Sequence, residues 1–255
     1  FQKNKMSDEL HDIEHKILQL FDSDDETNVE LAVQLCVGLQ GNYSEWIAQK
    51  LQSHVFLCLQ YGLEQAFFEN LEVLDLADRE MGHLPAEITQ LKKLRKIDLD
   101  NNLLSTFPFE LLELTSLEEL RLDNNLLTSL PPEIAALQNL ALLSLNNNQL
   151  EKLPPEIGQL SQLQILESTD NQISSLPAEI GQLQNLIKLN VANNCLKTLT
   201  TGIGALSSLF ALYISHNELT ELPESIGSLA ELRILEAEFN QLSILPVELA
   251  QLSKG

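Results

Sequence analysis

Basic side chains are scarce in this sequence, which has 15 lysines and arginines against 37 aspartates and glutamates and a formal net charge of -22. Proteins that bind nucleic acid neutralise its phosphates with clustered Lys and Arg, and proteins that bind anionic membrane surfaces use similar basic clusters. The charge balance therefore argues against both kinds of partner.

Cysteines are few as well, and Cys36, Cys58 and Cys195 lie far apart. An odd, scattered set is neither a disulfide framework nor a metal-binding spacing, so we expect a reducing compartment and hence the cytoplasm. No apolar run is long enough to span a bilayer and no signal peptide is visible, so membrane insertion is not expected. Secretion stays an alternative because the chain starts at Phe1, as a processed chain would.

Motifs for catalysis and metal binding are also missing. His11 and His15 stand four residues apart on a predicted helix, but no suitable third ligand follows nearby. There is no glycine-rich phosphate loop, nucleophile elbow or Cys–His pair. The carboxylates fall on positions typical of solvated surfaces rather than of paired catalytic acids. We therefore predict no catalytic residue, no metal and no cofactor, and hence no enzyme in this chain.

What the sequence does have is leucine in a fixed register. From Leu71 onward it falls into eight ungapped blocks of 23 residues, of which the third reads LEELRLDNNLLTSLPPEIAALQN. The blocks begin at Leu71, Leu94, Leu117, Leu140, Leu163, Leu186, Leu209 and Leu232. Such periodicity indicates a repeat architecture, in which each block forms one coil that stacks on its neighbours to bury a continuous core.

Each position of the repeat has a physical interpretation. Positions 1 to 8, L-x-x-L-x-L-x-x, predict a short strand with one buried face. Position 9 is asparagine in the last seven blocks, and its amide can donate to one coil and accept from another. These ladder asparagines are Asn102, Asn125, Asn148, Asn171, Asn194, Asn217 and Asn240. Positions 14 to 21, L-P-x-E-I-G-x-L, predict a short helical turn because proline and glutamate favour a helix N-terminus.

These blocks resemble the leucine-rich-repeat family, and the L-P-x-E-I-G-x-L half is similar to its Ras-group subclass, which includes the plant intracellular Ras-group-related proteins and bacterial homologues. The resemblance covers residues 71 to 252. It implies an α/β solenoid, curved like a horseshoe, with a parallel β-sheet on the concave face and protein partners bound there. In this interpretation residues 71–255 form one domain of eight repeats.

Residues 1–70 lack the repeat and show helical periodicity instead. We expect a first helix over roughly 8–21 and a second that Thr27 and Glu30 begin as a capping box and that ends near Gly41. Further helices are predicted over 44–61 and 63–68. An open solenoid end exposes its core, so we predict that residues 1–70 are an α-helical N-terminal cap. A separate adaptor or dimerisation element is the alternative.

The binding site is predicted from the strand pattern, since positions 3, 5 and 7 point away from the core and positions 2 and 8 lie at the margins. The early blocks place charges there and the later blocks place apolar and aromatic residues. We predict a hot spot centred on Tyr213 and Phe210, with Asp98, Asp100 and Asp123 steering a partner that has a basic patch. The other predicted members are Leu142, Ile165, Ile187, His216, Ile234 and Phe239.

The sequence thus predicts a protein–protein interaction module that binds its partner on the concave face. The alternative is the recognition arm of a larger enzyme, such as a GTPase, kinase or ubiquitin ligase, whose catalytic domain lies outside this chain. The pattern identifies neither the partner nor the oligomeric state.

Overall fold

The computed structural model describes residues 2–23 and 25–254. The chain divides into two compact units, one made of residues 1–71 with 85–91 and the other of residues 72–84 with 92–255. The first unit is helical, and the second contains the repeats.

Five α-helices form most of the helical unit around a core that includes Ile17, Val33, Ile47 and Leu51, all 0% exposed. The helices are α1 Gln2–Phe21, α2 Glu26–Leu39, α3 Glu45–Gln52, α4 Val55–Tyr61 and α5 Gln65–Phe68. The 3₁₀ helix η1, Ala86–Gln90, belongs to the same unit and contacts α4. The convex half of the first repeat is therefore part of the helical unit.

Two local predictions for this unit are wrong. Helix α2 has Asp25 as its N-cap, and the Asp25 carboxylate accepts a hydrogen bond from Thr27 N at 2.9 Å. Thr27 therefore lies inside the helix, because a stronger capping side chain stands two residues earlier. The predicted third helix is two helices, since the N–H groups of Ser53 and His54 bond to carbonyls three residues back and end α3.

The repeat unit is a parallel sheet of eight three-residue strands in sequence order. They are β1 Val73–Asp75, β2 Lys96–Asp98, β3 Glu119–Arg121, β4 Leu142–Ser144, β5 Ile165–Glu167, β6 Lys188–Asn190, β7 Ala211–Tyr213 and β8 Ile234–Glu236. Every residue of β1 to β7 pairs with the residue 23 later, as Leu120 does with Leu143. The predicted leucine-rich-repeat solenoid with a parallel sheet is confirmed.

The return segments of the repeats are 3₁₀ helices. They are η2 Phe109–Glu113, η3 Pro132–Ala136, η4 Pro155–Gln159, η5 Ala178–Gln182, η6 Thr201–Ala205, η7 Glu224–Ser228 and η8 Val247–Lys254. The core lies between these segments and the sheet. In the fourth repeat Leu140, Leu143, Leu145 and Leu150 are all 0% exposed.

Candidate functional site

The candidate site is the outward surface of the sheet, which we call the sheet face. It consists of the side chains at positions 3, 5 and 7 of repeats 2 to 8, with position 2 at one margin and position 8 at the other. Its shape depends on two sets of hydrogen bonds that run from coil to coil.

The position-9 asparagines bond to the backbone of adjacent coils. Asn148 Nδ2 donates to the carbonyls of Leu122, Leu145 and Asn146 at 2.9–3.1 Å, and Asn148 Oδ1 accepts from Leu127 N at 3.0 Å. The same pattern holds for Asn125, Asn171, Asn194, Asn217 and Asn240. Each asparagine uses its amide on backbone, so these side chains set the strand ends rather than contact a partner.

A second set of bonds, at position 7, was not foreseen from the sequence. Asp100 Oδ1 accepts from Asp123 N at 2.6 Å, Asp123 Oδ1 accepts from Asn146 N at 2.7 Å, and Asn146 Oδ1 accepts from Thr169 N at 2.8 Å. The signal was present as a run of short acceptor side chains at one position of three consecutive repeats. Two of the predicted steering aspartates, Asp100 and Asp123, therefore also accept hydrogen bonds from the backbone of the next coil.

The early repeats carry charges of both signs. Burial raises the pKa of the Asp100 carboxyl to about 6, the hydrogen bond from Asp123 N opposes that rise, and the charges of Asp123 and Asp98 add to it. Glu119 lies 3.0 Å from Lys96 Nζ and 2.8 Å from Arg121 Nε. This end of the sheet face is acidic at position 7 and mixed at positions 3 and 5.

The predicted apolar residues do not form one continuous patch. Leu142 and Ile165 are register partners in β4 and β5, and Ile234 lies at the same position in β8. Lys188 stands between them, with its Nζ 2.5 Å from Glu167 Oε1 and 5.4 Å from the centroid of the Tyr213 ring. The middle of the sheet face is therefore interrupted by a charged pair.

The remaining predicted residues occupy opposite margins. Ile187 and Phe210 are neighbours at position 2, where Phe210 N donates to Ile187 O at 2.8 Å. His216 and Phe239 stack at position 8, with ring centroids 4.3 Å apart and planes 13° apart. Because a strand rises about 3.3 Å per residue, Tyr213 at position 5 is roughly 10 Å from either pair along the strand. The structure thus joins each pair but not the predicted centre of Tyr213 with Phe210.

Comparison with known proteins identifies the repeats. A family model described as a leucine-rich repeat region matches residues 131–245, and one described as a leucine-rich repeat matches residues 116–137. No curated protein matches the sequence. Within the described residues, no helix has the length and apolar character needed to cross a membrane.

Several solved structures have the same fold. A leucine-rich-repeat protein of Leptospira interrogans is 34% identical, with a TM-score of 0.54, over 76% of this chain and 60% of that one. The ectodomain of the Arabidopsis thaliana receptor kinase GASSHO1/SCHENGEN3, in complex with CASPARIAN STRIP INTEGRITY FACTOR 2, is 38% identical, with a TM-score of 0.60, over 66% of this chain and 21% of that one. The Arabidopsis receptor kinase HAESA, in complex with the peptide hormone IDA and the co-receptor SERK1, is 29% identical, with a TM-score of 0.65, over 72% of this chain and 33% of that one. This chain therefore spans less than two thirds of the length of each.

Proposed function

Because this chain is a leucine-rich-repeat protein, we propose that it is an interaction module that binds a protein partner on the sheet face of repeats 6 to 8. The observation that carries the proposal is the exposure of apolar side chains at both margins. Ile187 and Phe210 are each 44% exposed and Phe239 is 71% exposed. Clustered exposed apolar side chains mark interaction surfaces, and aromatic residues are favoured there as anchors.

Two features support a polypeptide ligand. HAESA is in complex with a peptide hormone, and its fold is shared by most of this chain. In addition, Asp98, Asp100 and Asp123 give the early repeats an acidic end that would attract a basic patch on a partner. The acidic end sets the rate of encounter, and the apolar margins set the lifetime of the complex.

The proposal includes a mode of action and a compartment. We infer that the chain acts by binding, without catalytic residues, and that its repeats are of the Ras-group subclass.

A reducing, cytoplasmic environment fits the three free cysteines. Burial raises the pKa of the Cys36 and Cys58 thiols to about 12, so both are poor nucleophiles. A recognition arm of a larger enzyme would use the same surface.

The test uses a partner protein captured with the wild-type chain. Its affinity for the wild type is compared with its affinity for single variants of the sheet face. Ile187→Ala, Phe210→Ala and Tyr213→Ala should each weaken binding by about 2 kcal/mol or more, mainly through faster dissociation. Leu103→Ala and Leu126→Ala are matched controls, because these leucines are 51% and 41% exposed but stand at position 10, off the sheet face. They should leave the affinity unchanged. A partner that ignores all three sheet-face variants would place the site elsewhere.

The steering role is tested separately by neutralising Asp98, Asp100 and Asp123 to asparagine, which keeps a side-chain oxygen for the backbone bonds. Association should slow and lose most of its salt dependence, while dissociation stays near the wild-type rate. An association rate with unchanged salt dependence would contradict the proposed basic patch.

A further inference from the structure

Position 8 of the repeat has the same unusual backbone in all eight coils. Its φ angle lies between 51° and 57° from Asp78 to Phe239. Among residues other than glycine, this left-handed region is populated most by asparagine, aspartate and histidine, and it strains a bulky residue such as phenylalanine. The first six coils have Asp78, Asn101, Asn124, Asn147, Asp170 and Asn193. The last two have His216 and Phe239, each at φ 54°.

Burial does not account for these two aromatic residues. His216 is exposed and Phe239 is 71% exposed, so neither fills the core. Their rings stack on each other at 4.3 Å and present a flat aromatic surface to solvent. Phe239 therefore combines a strained backbone with an exposed side chain, which is typical of functional sites rather than of packing.

The residues beside this pair are acidic. Glu238 precedes Phe239 in the chain, and its Oε2 accepts a hydrogen bond from Ser215 Oγ at 3.0 Å. Its own backbone N–H, the Ser215 hydroxyl and His216 hold the pKa of Glu238 below its usual range, so the carboxylate is charged. Glu236 is exposed and is the register partner of Tyr213. We call His216, Phe239 and Glu238 the aromatic margin. Glu236 lies at position 5, roughly 10 Å along the strand from the ring pair.

The basic residues of the neighbouring strands are already engaged elsewhere. Lys188 pairs with Glu167, and Arg233 Nη1 donates to the carbonyls of Ala230 and Leu232 at the opposite end of β8. Positions 5, 7 and 8 of the last two repeats contain no lysine or arginine. At these positions the charged neighbour of the Glu238 carboxylate is His216. The aromatic margin thus combines a flat ring surface with a carboxylate that has no lysine or arginine beside it at positions 5, 7 and 8 of the last two repeats.

We propose that the aromatic margin binds an arginine side chain of the protein partner, with the guanidinium stacked on the His216–Phe239 pair and hydrogen-bonded to Glu238. A guanidinium is planar and weakly hydrated, so it stacks on an aromatic face and also meets a carboxylate with two parallel N–H donors. An ammonium has neither property. The attribution to the partner rests on the proposed function, whereas the arginine site itself does not.

The site is tested by titrating the full chain with N-acetyl-arginine amide and observing the His216 and Phe239 side chains by NMR. Signals are assigned with His216→Asn and Phe239→Asn. Saturable shifts are expected with arginine amide in the millimolar range, at least several-fold weaker binding with the lysine analogue, and none with the uncharged citrulline analogue. Both signals unmoved, or moved equally by citrulline, would overturn the proposal.

Three variants complete the test. Phe239→Asn installs the common residue of position 8, so the variant folds and should lose arginine binding. Glu238→Gln keeps the shape of the side chain and should weaken arginine binding at least tenfold. Phe109→Asn is the matched control, because Phe109 is 57% exposed on η2, away from the margin, and this change should leave binding intact. Equal loss in the control, or binding retained in Phe239→Asn, would refute the site.

Failure here is distinguishable from failure of the proposed function. The interaction module is tested by variants of Ile187, Phe210 and Tyr213, none of which belongs to the aromatic margin, and is measured with a captured partner. If arginine amide binds but the partner's affinity ignores Phe239→Asn, the arginine does not come from that partner, and the inference is wrong while the module stands.

Discussion

Asn148 makes four hydrogen bonds with backbone groups, two in its own coil and two in the preceding one, and the residue is 8% exposed. Asn148→Ala leaves three carbonyls and one amide without this partner, so we expect a loss of about 1–3 kcal/mol in the free energy of unfolding. Asn148→Asp should be little better, because a carboxylate cannot donate to the carbonyls. Chemical denaturation measures both changes.

The control for this prediction is the next residue along the chain. Gln149→Ala changes an exposed side chain and should stay within about 0.5 kcal/mol of the wild type. Equal stability of Asn148→Ala and Gln149→Ala would show that the ladder bonds do not stabilise the solenoid.

Asp100 gives a prediction that depends on pH. Its pKa in the folded chain, about 6, lies above the ordinary value of 3.8, so the unfolded state loses this proton first. The stability from the protonated carboxyl is therefore lost as the pH rises from about 4 to about 6. Asp100→Asn keeps the acceptor oxygen, as Asn146 does at the same position, and should be more stable by about 1 kcal/mol at neutral pH after solvent screening is allowed for.

Melting curves at several pH values test this prediction. The gap in melting temperature between Asp100→Asn and the wild type should open between about pH 4 and pH 6 and stay constant above. A gap that is the same at every pH would mean that the change acts through packing rather than through ionisation.

At the scale of elements, glycine at position 19 lets adjacent 3₁₀ segments approach. A Cβ at Gly158 of η4 would lie 2.2 Å from Glu179 O of η5, a distance that requires backbone movement. We expect Gly158→Ala to destabilise the chain by about 1–3 kcal/mol. The control is Gly82→Ala, where an added Cβ meets nothing within 4 Å. Matching melting temperatures for the two variants would show that the segments separate without cost.

The elements also show how far sequence reasoning reaches. The strand register and the buried leucine positions were predictable because they recur in every block. The N-cap Asp25 and the break at Ser53 were not, because each occurs once and the helical pattern continues through both. The split of Tyr213 from Phe210 was missed for a different reason. The positions fix the side of the sheet and the three-residue separation of roughly 10 Å along the strand, which is too long for one contact cluster. They do not show the ion pair of Lys188 with Glu167.

At the scale of the molecule, we predict that residues 1–70 cap the repeats, and η1 gives this a measurable form. Ile88 and Leu91 are 0% and 1% exposed, and η1 packs with α4. A chain that begins at residue 71 loses α4 and exposes both side chains, so it should aggregate and melt at a lower temperature. Light scattering after gel filtration measures this. A monomeric, equally stable chain would favour an independent adaptor domain.

The direction of the asparagine bonds has a consequence for synthesis. Asn148 bonds to Leu122 O and Leu127 N, which the ribosome makes 26 and 21 residues earlier. Asn171 and Asn194 reach back to the preceding coil in the same way. The backbone groups of a coil are therefore hydrogen-bonded only after the asparagine of the next coil has been synthesised. At roughly 5–20 residues per second, these hydrogen bonds form about one to five seconds after each coil is synthesised. The last coil of the nascent solenoid therefore always lacks them.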